Sequence, residues 1–326
     1  MMIQIETSLA RYVDQVPTLR YVFFGGKGGV GKTVMAGAAA LWFASRGKRA
    51  ILVSTNPVHS LSGLLGQDVF GRSTPDGVPQ LWAYEIDTRE TIERSKTEIR
   101  EKIQWFLKFA DISTKADEFI ESATMNPAFE ESAMFENMVD LIFQNEYDVY
   151  VFDTAPTANA RRLLGMSKVY SLWVNKMLKS RQEARTLREM LSFTKKKEDD
   201  PLMDYLLSFR ERMNHARKLL TDDRQTAFFF VTLAEALPIA VISRFIGWFQ
   251  DFGIPVGGVI VNMLLDPEQA KADAPEFVRN RVAMQSRYLE EITQKFDGMV
   301  RATAPLFDSE VRGIDSLREL AGALFR

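Results

Sequence analysis

A chain of 326 residues with a hydrophobic share of 46% and a charged share of 26% can fill a sizeable core and lacks the composition of a disordered segment. Lys and Arg number 41 against 43 Asp and Glu, a formal charge of −2, which gives no global electrostatic basis for binding nucleic acid. With no cysteine, disulfides, thiolate zinc sites and cysteine nucleophiles are excluded.

The first residues, MMIQIETSLARYVDQV, lack the basic start and apolar centre of a secretion signal, and no run reaches 18 uninterrupted apolar residues, so a cytoplasmic protein is expected. Short β-branched and aromatic runs follow at 20–24, 50–54, 82–86, 148–152, 227–232 and 256–261, each ending in a turn and followed by helical periodicity. Such alternation predicts an α/β fold with a mainly parallel sheet whose strands are buried on both faces. The stretches 88–147 and 163–222 contain no convincing strand and read as helical insertions forming one subdomain. The core is then expected in 1–87, 148–162 and 223–326. The charge run TKKKEDD at 194–200 reads as a solvated loop. The carboxyl end, SLRELAGALFR, carries one apolar stripe and few basic residues, favouring a helix packed on the core over one lying on a membrane.

The first strand runs into Gly25-Gly26-Lys27-Gly28-Gly29-Val30-Gly31-Lys32-Thr33, in which Gly26 to Thr33 satisfies G-x-x-x-x-G-K-[ST]. Strand, glycine-rich loop and helix come in the order a phosphate loop needs. Glycines let successive N–H groups turn toward phosphate oxygens, and the helix presents its positive end to the same charge. Gly26, Gly28, Gly29, Val30 and Gly31, with Met35 in the helix behind them, are the expected ATP cradle. Lys32 is expected on the β and γ phosphates and Thr33 on magnesium. Asp153, an acid ending a buried apolar strand, is the Walker B arrangement, reaching magnesium directly or through water.

The loop GKGGVGKT, with its early Lys27, is similar to the deviant Walker A class. Ser54-Thr55-Asn56-Pro57-Val58-His59-Ser60-Leu61-Ser62 resembles switch I of the arsenite-pump and tail-anchored-protein-targeting ATPases, D-P-A-H-S/N-L, and Asp153 to Leu163 resembles their switch II, D-T-A-P-T-G-H-T-x-R-L, with Ala158 and Asn159 in place of Gly-His. Thr232 to Glu235, Val261 to Leu265 and Pro305 to Gly313 resemble further segments of that family, in order, so the resemblance runs from about residue 20 to 320. It implies a P-loop NTPase that hydrolyses ATP with magnesium as a homodimer. Lys27 would reach the partner subunit's nucleotide as an arginine finger does. Asn262, Pro305 and Phe307 would contact adenine. At residue 56 the family carries an aspartate that orients or activates water. An amide holds a water but does not accept its proton, so Asn56 implies slow hydrolysis and a long-lived closed state.

Eight of the 14 methionines (Met125, Met134, Met138, Met166, Met177, Met190, Met203 and Met213) fall between residues 125 and 213, joined by Trp105, Phe106, Phe109, Phe119, Phe129 and Phe135. Methionine suits surfaces that accept varied apolar partners. By themselves these residues fit subdomain packing equally well; the resemblance to the targeting branch favours a groove across the dimer that shields a transmembrane or tail-anchor segment on its way to a membrane receptor. Arsenite pumping relies on cysteine ligands and is not expected here. The C-x-x-C zinc clasp of many targeting dimers is also missing, so no zinc is expected. The alternative is a nucleotide-switch scaffold of the ParA/MinD type acting on membrane or DNA.

Overall fold

A computed structural model describes residues 8–54, 60–69, 71–85, 137–153, 201–269 and 274–326, with isolated positions at 93, 94, 97, 101 and 179. The chain divides into two compact units, one of Met1–Arg89, Asp140–Asn159 and Thr221–Arg326, the other of Glu90–Val139 and Ala160–Leu220. In the second unit the described residues are chiefly a long helix, Pro201–Leu220, on which Met213, Ala216 and Leu220 are buried at helical spacing. The aromatic cluster from Trp105 to Phe135, and the methionines at 125, 134, 166, 177 and 190, lie outside the described residues.

The first unit is built on an eight-stranded sheet of β1 (Tyr21–Gly26), β2 (Ala50–Ser54), β3 (Gly71–Ser73), β4 (Leu81–Glu85), β5 (Val149–Asp153), β6 (Thr226–Leu233), β7 (Val256–Leu264) and β8 (Val300–Pro305), in the order β3-β4-β2-β5-β1-β6-β7-β8. All pairings are parallel except β3 with β4, confirming the α/β reading. The six expected strands are present, that at 50–54 unchanged and the others with one or both ends shifted by one to three residues. Two were missed for physical reasons. β3 is a three-residue edge strand without an apolar run, and β8 alternates buried with half-buried residues along VRATAP, whose Arg301 and terminal Pro305 suit a sheet edge.

Among the described residues the helices given a label are, in chain order, α1 (Leu9–Gln15), α2 (Lys32–Ser45), α3 (Ser60–Leu65), α4 (the Pro201–Leu220 helix of the second unit), α5 (Ala236–Asp251), α6 (Glu276–Lys295) and α7 (Gly313–Leu324), with a further helical stretch at 137–144. Those of the first unit cover both faces of its sheet, and alternate residues of each strand face opposite layers. Val22 and Phe24 of β1 join one core with Val151, Phe229 and Val231, the alanine-rich α2 and the stripe Leu317, Leu320, Ala321 and Leu324 of α7. The terminal helix is thus committed to the core, and Phe325 stacks on Trp42 with ring centres 4.1 Å apart.

On the other face Phe23 stacks between its register partners, Phe152 at 4.6 Å and Phe228 at 4.3 Å, and Phe249 of α5 meets Phe228 edge-on at 4.9 Å. This ladder joins β5, β1 and β6, the three strands whose ends carry the phosphate loop and its neighbours. Because Phe23 is 2% exposed, Phe23→Ala is expected to lower unfolding free energy by about 3–5 kcal/mol, as guanidinium titration would measure.

Candidate nucleotide site

The site forms at the carboxyl end of β1, where the strand order turns. β2 lies to one side of β1, β6 to the other, and the chain crosses over β1 between β5 and β6, the position at which open α/β sheets bind ligands. Residues 27–31 leave β1 and α2 begins at Lys32, so the loop of the motif is a real strand-to-helix turn. Gly26 has φ +148°, and a Cβ there would collide with the Val231 carbonyl of β6. Gly31, the residue capping α2, has φ +92° and lies against the Asn262 side chain. Neither place admits a side chain without displacing its neighbour. Gly31 supplies no side-chain cap, and no acidic residue occupies the first turn of α2, so that turn presents its N–H groups to an incoming anion.

Three charged or hydroxyl groups converge there. Thr33 Oγ1 donates to Asp153 Oδ2 at 2.7 Å, joining the start of α2 to the end of β5. Both are hard oxygen donors of the kind magnesium takes. Lys32 Nζ donates to the Lys27 carbonyl at 3.2 Å, so the ammonium lies over the loop. Asp153 is 2% exposed, and burial pushes its carboxyl up to about 6 against the opposing pull of the Thr33 hydrogen bond and the Lys32 charge. Burial likewise lowers the Lys32 ammonium, with the Asp153 charge acting the other way. Two partly desolvated opposite charges beside a row of N–H groups suit a ligand carrying both anion and cation.

Not every expected site residue lies in this cluster. Met35 is fully buried in the core, and its N–H is given to the Gly31 carbonyl at 3.1 Å, so it seats the first turn of α2. Asn262, near the end of β7, donates from Nδ2 to the Val30 carbonyl at 2.9 Å and accepts at Oδ1 from the Met263 N–H at 2.8 Å. One N–H and one lone pair of its amide remain for a base edge. Pro305 pairs with Leu264 across β7 and β8, and Leu306 N–H donates to the Leu264 carbonyl at 2.8 Å; Phe307 packs on the core. The three positions expected at adenine therefore lie at or just beyond the ends of two adjacent strands. Asn56, His59, Ala158 and Asn159 lie outside the described residues.

Sequence reasoning missed Glu85. This residue ends β4, is 3% exposed, and accepts from Leu61 N–H at 2.5 Å and Ser62 N–H at 3.3 Å through Oε1 and from Ser62 Oγ at 2.8 Å through Oε2. Its carboxylate pins the start of α3, directly after 55–59, while Ser54 and Ser60 hydroxyls meet across that segment at 3.2 Å. The available signal was the one that singled out Asp153: an acid ending an apolar strand.

Comparison with known proteins accords with this geometry. The profile of the anion-transporting ATPase family matches residues 19–326. The chain belongs to that family. Among similar proteins, ATPase ASNA1 homolog 1 of Paramecium tetraurelia is 29% identical over 99% of this chain and 97% of its own length. ATPase GET3B of Arabidopsis thaliana is 30% identical over 94% of this chain and 79% of its own. A Halobacterium salinarum protein named for an arsenical pump-driving ATPase is 32% identical over 94% of this chain but 44% of its own length. Membership of this ATPase family implies that the chain binds ATP. Among the described residues, no helix is long and apolar enough to cross a membrane.

Because folding raises the Asp153 carboxyl, its ionised form costs stability that the protonated form does not. The penalty is absent well below pH 4, grows toward pH 6 and is complete above it. Asp153→Asn is expected to stabilise the nucleotide-free protein, by an amount on the order of 2–3 kcal/mol at pH 8 and clearly less at pH 5, while lowering ATP turnover at least a hundredfold. Thermal unfolding at the two pH values, beside phosphate release, checks both halves.

Proposed function

We propose that this family member is a homodimeric, cytoplasmic targeting factor in which ATP and magnesium gate a helical groove that shelters hydrophobic transmembrane or tail-anchor segments until a membrane receptor takes them. The observation that carries its nucleotide half is the Thr33–Asp153 contact at the head of α2, which joins the phosphate-loop hydroxyl to the Walker B acid. Magnesium would be held by Thr33 and, directly or through water, by Asp153; when bound it neutralises charge developing on the phosphates. Lys32 binds the β and γ phosphates, and the partner subunit's copy of the Lys27 ammonium adds positive charge from across the dimer. Asn262, Pro305 and Phe307 border the adenine.

The client half rests on the number of methionines and aromatics between 105 and 213, a composition suited to adaptable apolar contacts, although Met138 and Met213 are themselves buried, and on the resemblance of both switches and the loop at 305–313 to the targeting branch. Without cysteine, the metalloid ligands of an arsenite pump are lacking. The ParA/MinD alternative needs a free amphipathic terminal helix or a basic face; the stripe of α7 is buried in the core, which favours the targeting reading. Closing the dimer on ATP would build the groove, and hydrolysis would open it, so client affinity becomes a function of nucleotide state.

Asn56 sets the tempo in this scheme. In single-turnover phosphate release, Asn56→Asp is expected to outpace this chain by at least tenfold, the chain itself persisting as an ATP-bound dimer in light scattering. Equal rates would remove residue 56 from water positioning. A fluorescent tail-anchor peptide is expected to be retained with ATP and magnesium and released with ADP; retention indifferent to nucleotide would defeat the targeting reading.

A further inference from the structure

Asn262 reaches the phosphate loop from a backbone position that an ordinary strand end would not supply. Met263, the next residue, has φ +58°, a left-handed conformation uncommon for a side chain that is not glycine. Three hydrogen bonds hold it there. Asn262 Oδ1 accepts from its N–H at 2.8 Å, Gln285 Nε2 donates to its carbonyl at 2.9 Å, and Gln285 Oε1 accepts from the N–H of Leu265 at 2.8 Å. Gln285 stands in the middle of α6 and is 8% exposed. Its amide thus spends a donor and an acceptor on the two backbone groups flanking Leu264. One turn earlier on the same face, Arg281 pairs with Glu235, just beyond β6, at 2.6 Å.

The consequence passes to the phosphate loop through peptide geometry. A trans peptide is planar, so its C=O and N–H point in opposite directions. The Val30 carbonyl is fixed by Asn262 Nδ2, which orients the N–H of Gly31 away from Asn262. We infer that Gln285 is a positioning residue of the ATP site, acting through the left-handed turn at Met263 and the Asn262 amide to hold the Val30–Gly31 peptide in the phosphate-binding orientation. This rests on the reading of residues 26–33 as the ATP cradle and extends it to a helix that contributes no ligand.

The test compares the full chain with Gln285→Glu, which keeps the acceptor for Leu265 and loses the donor for Met263, and Gln285→Met, which keeps the length and loses both. Arg281→Ala, which breaks only the half-buried ion pair with Glu235, is the control. Affinity for magnesium ATP and for inorganic tripolyphosphate is read by calorimetry well below each unfolding midpoint, with deuterium uptake of the segment 26–33 in the nucleotide-free proteins. Losing a buried donor is expected to weaken both ligands about tenfold in Gln285→Glu and further in Gln285→Met, with less than a twofold change in Arg281→Ala. Deuterium uptake at 26–33 should rise in the two Gln285 variants and not in the control. Lower unfolding midpoints with unchanged affinities and unchanged uptake would make Gln285 a purely structural residue and overturn the inference. If Gln285→Met does not fold, Gln285→Glu carries the comparison alone. Failure of the unsubstituted chain to bind magnesium ATP would instead refute the cradle itself, a result distinct from equal binding by all four proteins.

Discussion

Pairing of β1 with β5 along one edge and with β6 along the other places Phe24 beside Asp153 and Gly26 beside Val231. These two registers hold the nucleotide end of the molecule together. A one-residue slip would turn every side chain of β1 to the opposite face and move the phosphate loop past its acid. The stack Phe152–Phe23–Phe228 opposes such a slip, because three aromatic rings in adjacent strands meet only in this register. Core packing and site geometry are accordingly one constraint.

The charges at that end are arranged at some cost to the fold. Asp153 is raised by burial and Lys32 lowered by it, so each is held where its ionised form is less favourable than in water. Glu85, equally buried, is spent on backbone N–H groups and a hydroxyl, the usual way of satisfying a carboxylate inside a protein. The two acids end parallel strands on either side of β2 and play opposite parts: one remains poised for a ligand, and the other secures the helix that follows residues 55–59.

Local signals were legible in the sequence, and tertiary ones were not. The phosphate loop could be read because its glycines, lysine and threonine are neighbours in the chain and their roles follow from that spacing. Asp153 could be read because a carboxylate closing the apolar run VYVF is costly to bury unless a cation or hydrogen bonds meet it there. Glu85 ends a strand in the same way, but its partners Leu61 and Ser62 lie two dozen residues upstream and nothing local points to them. Gln285 is an ordinary polar residue on a charged helix until its contacts with Met263 and Leu265 are seen. The family resemblance implies a base-contacting role for Asn262, whereas the fold engages it on the Val30 carbonyl, a contact that spacing could not reveal. β8 escaped because an edge strand with one arginine and a proline does not form an apolar run.

The packing of α7 on α2 carries a consequence for biogenesis. α2, which begins at Lys32, buries its outer alanine-rich surface against Leu317 and its neighbours, and its Trp42 against Phe325, residues made long afterwards. Until those residues leave the ribosome, the helix behind the phosphate loop lacks those apolar partners, and contacts this distant in sequence form slowly. The helix behind the loop therefore gains its full packing only once α7 has been made. Order at residues 26–33 is thereby tied to a helix made long after the loop itself, so the two ends of this unit mature together.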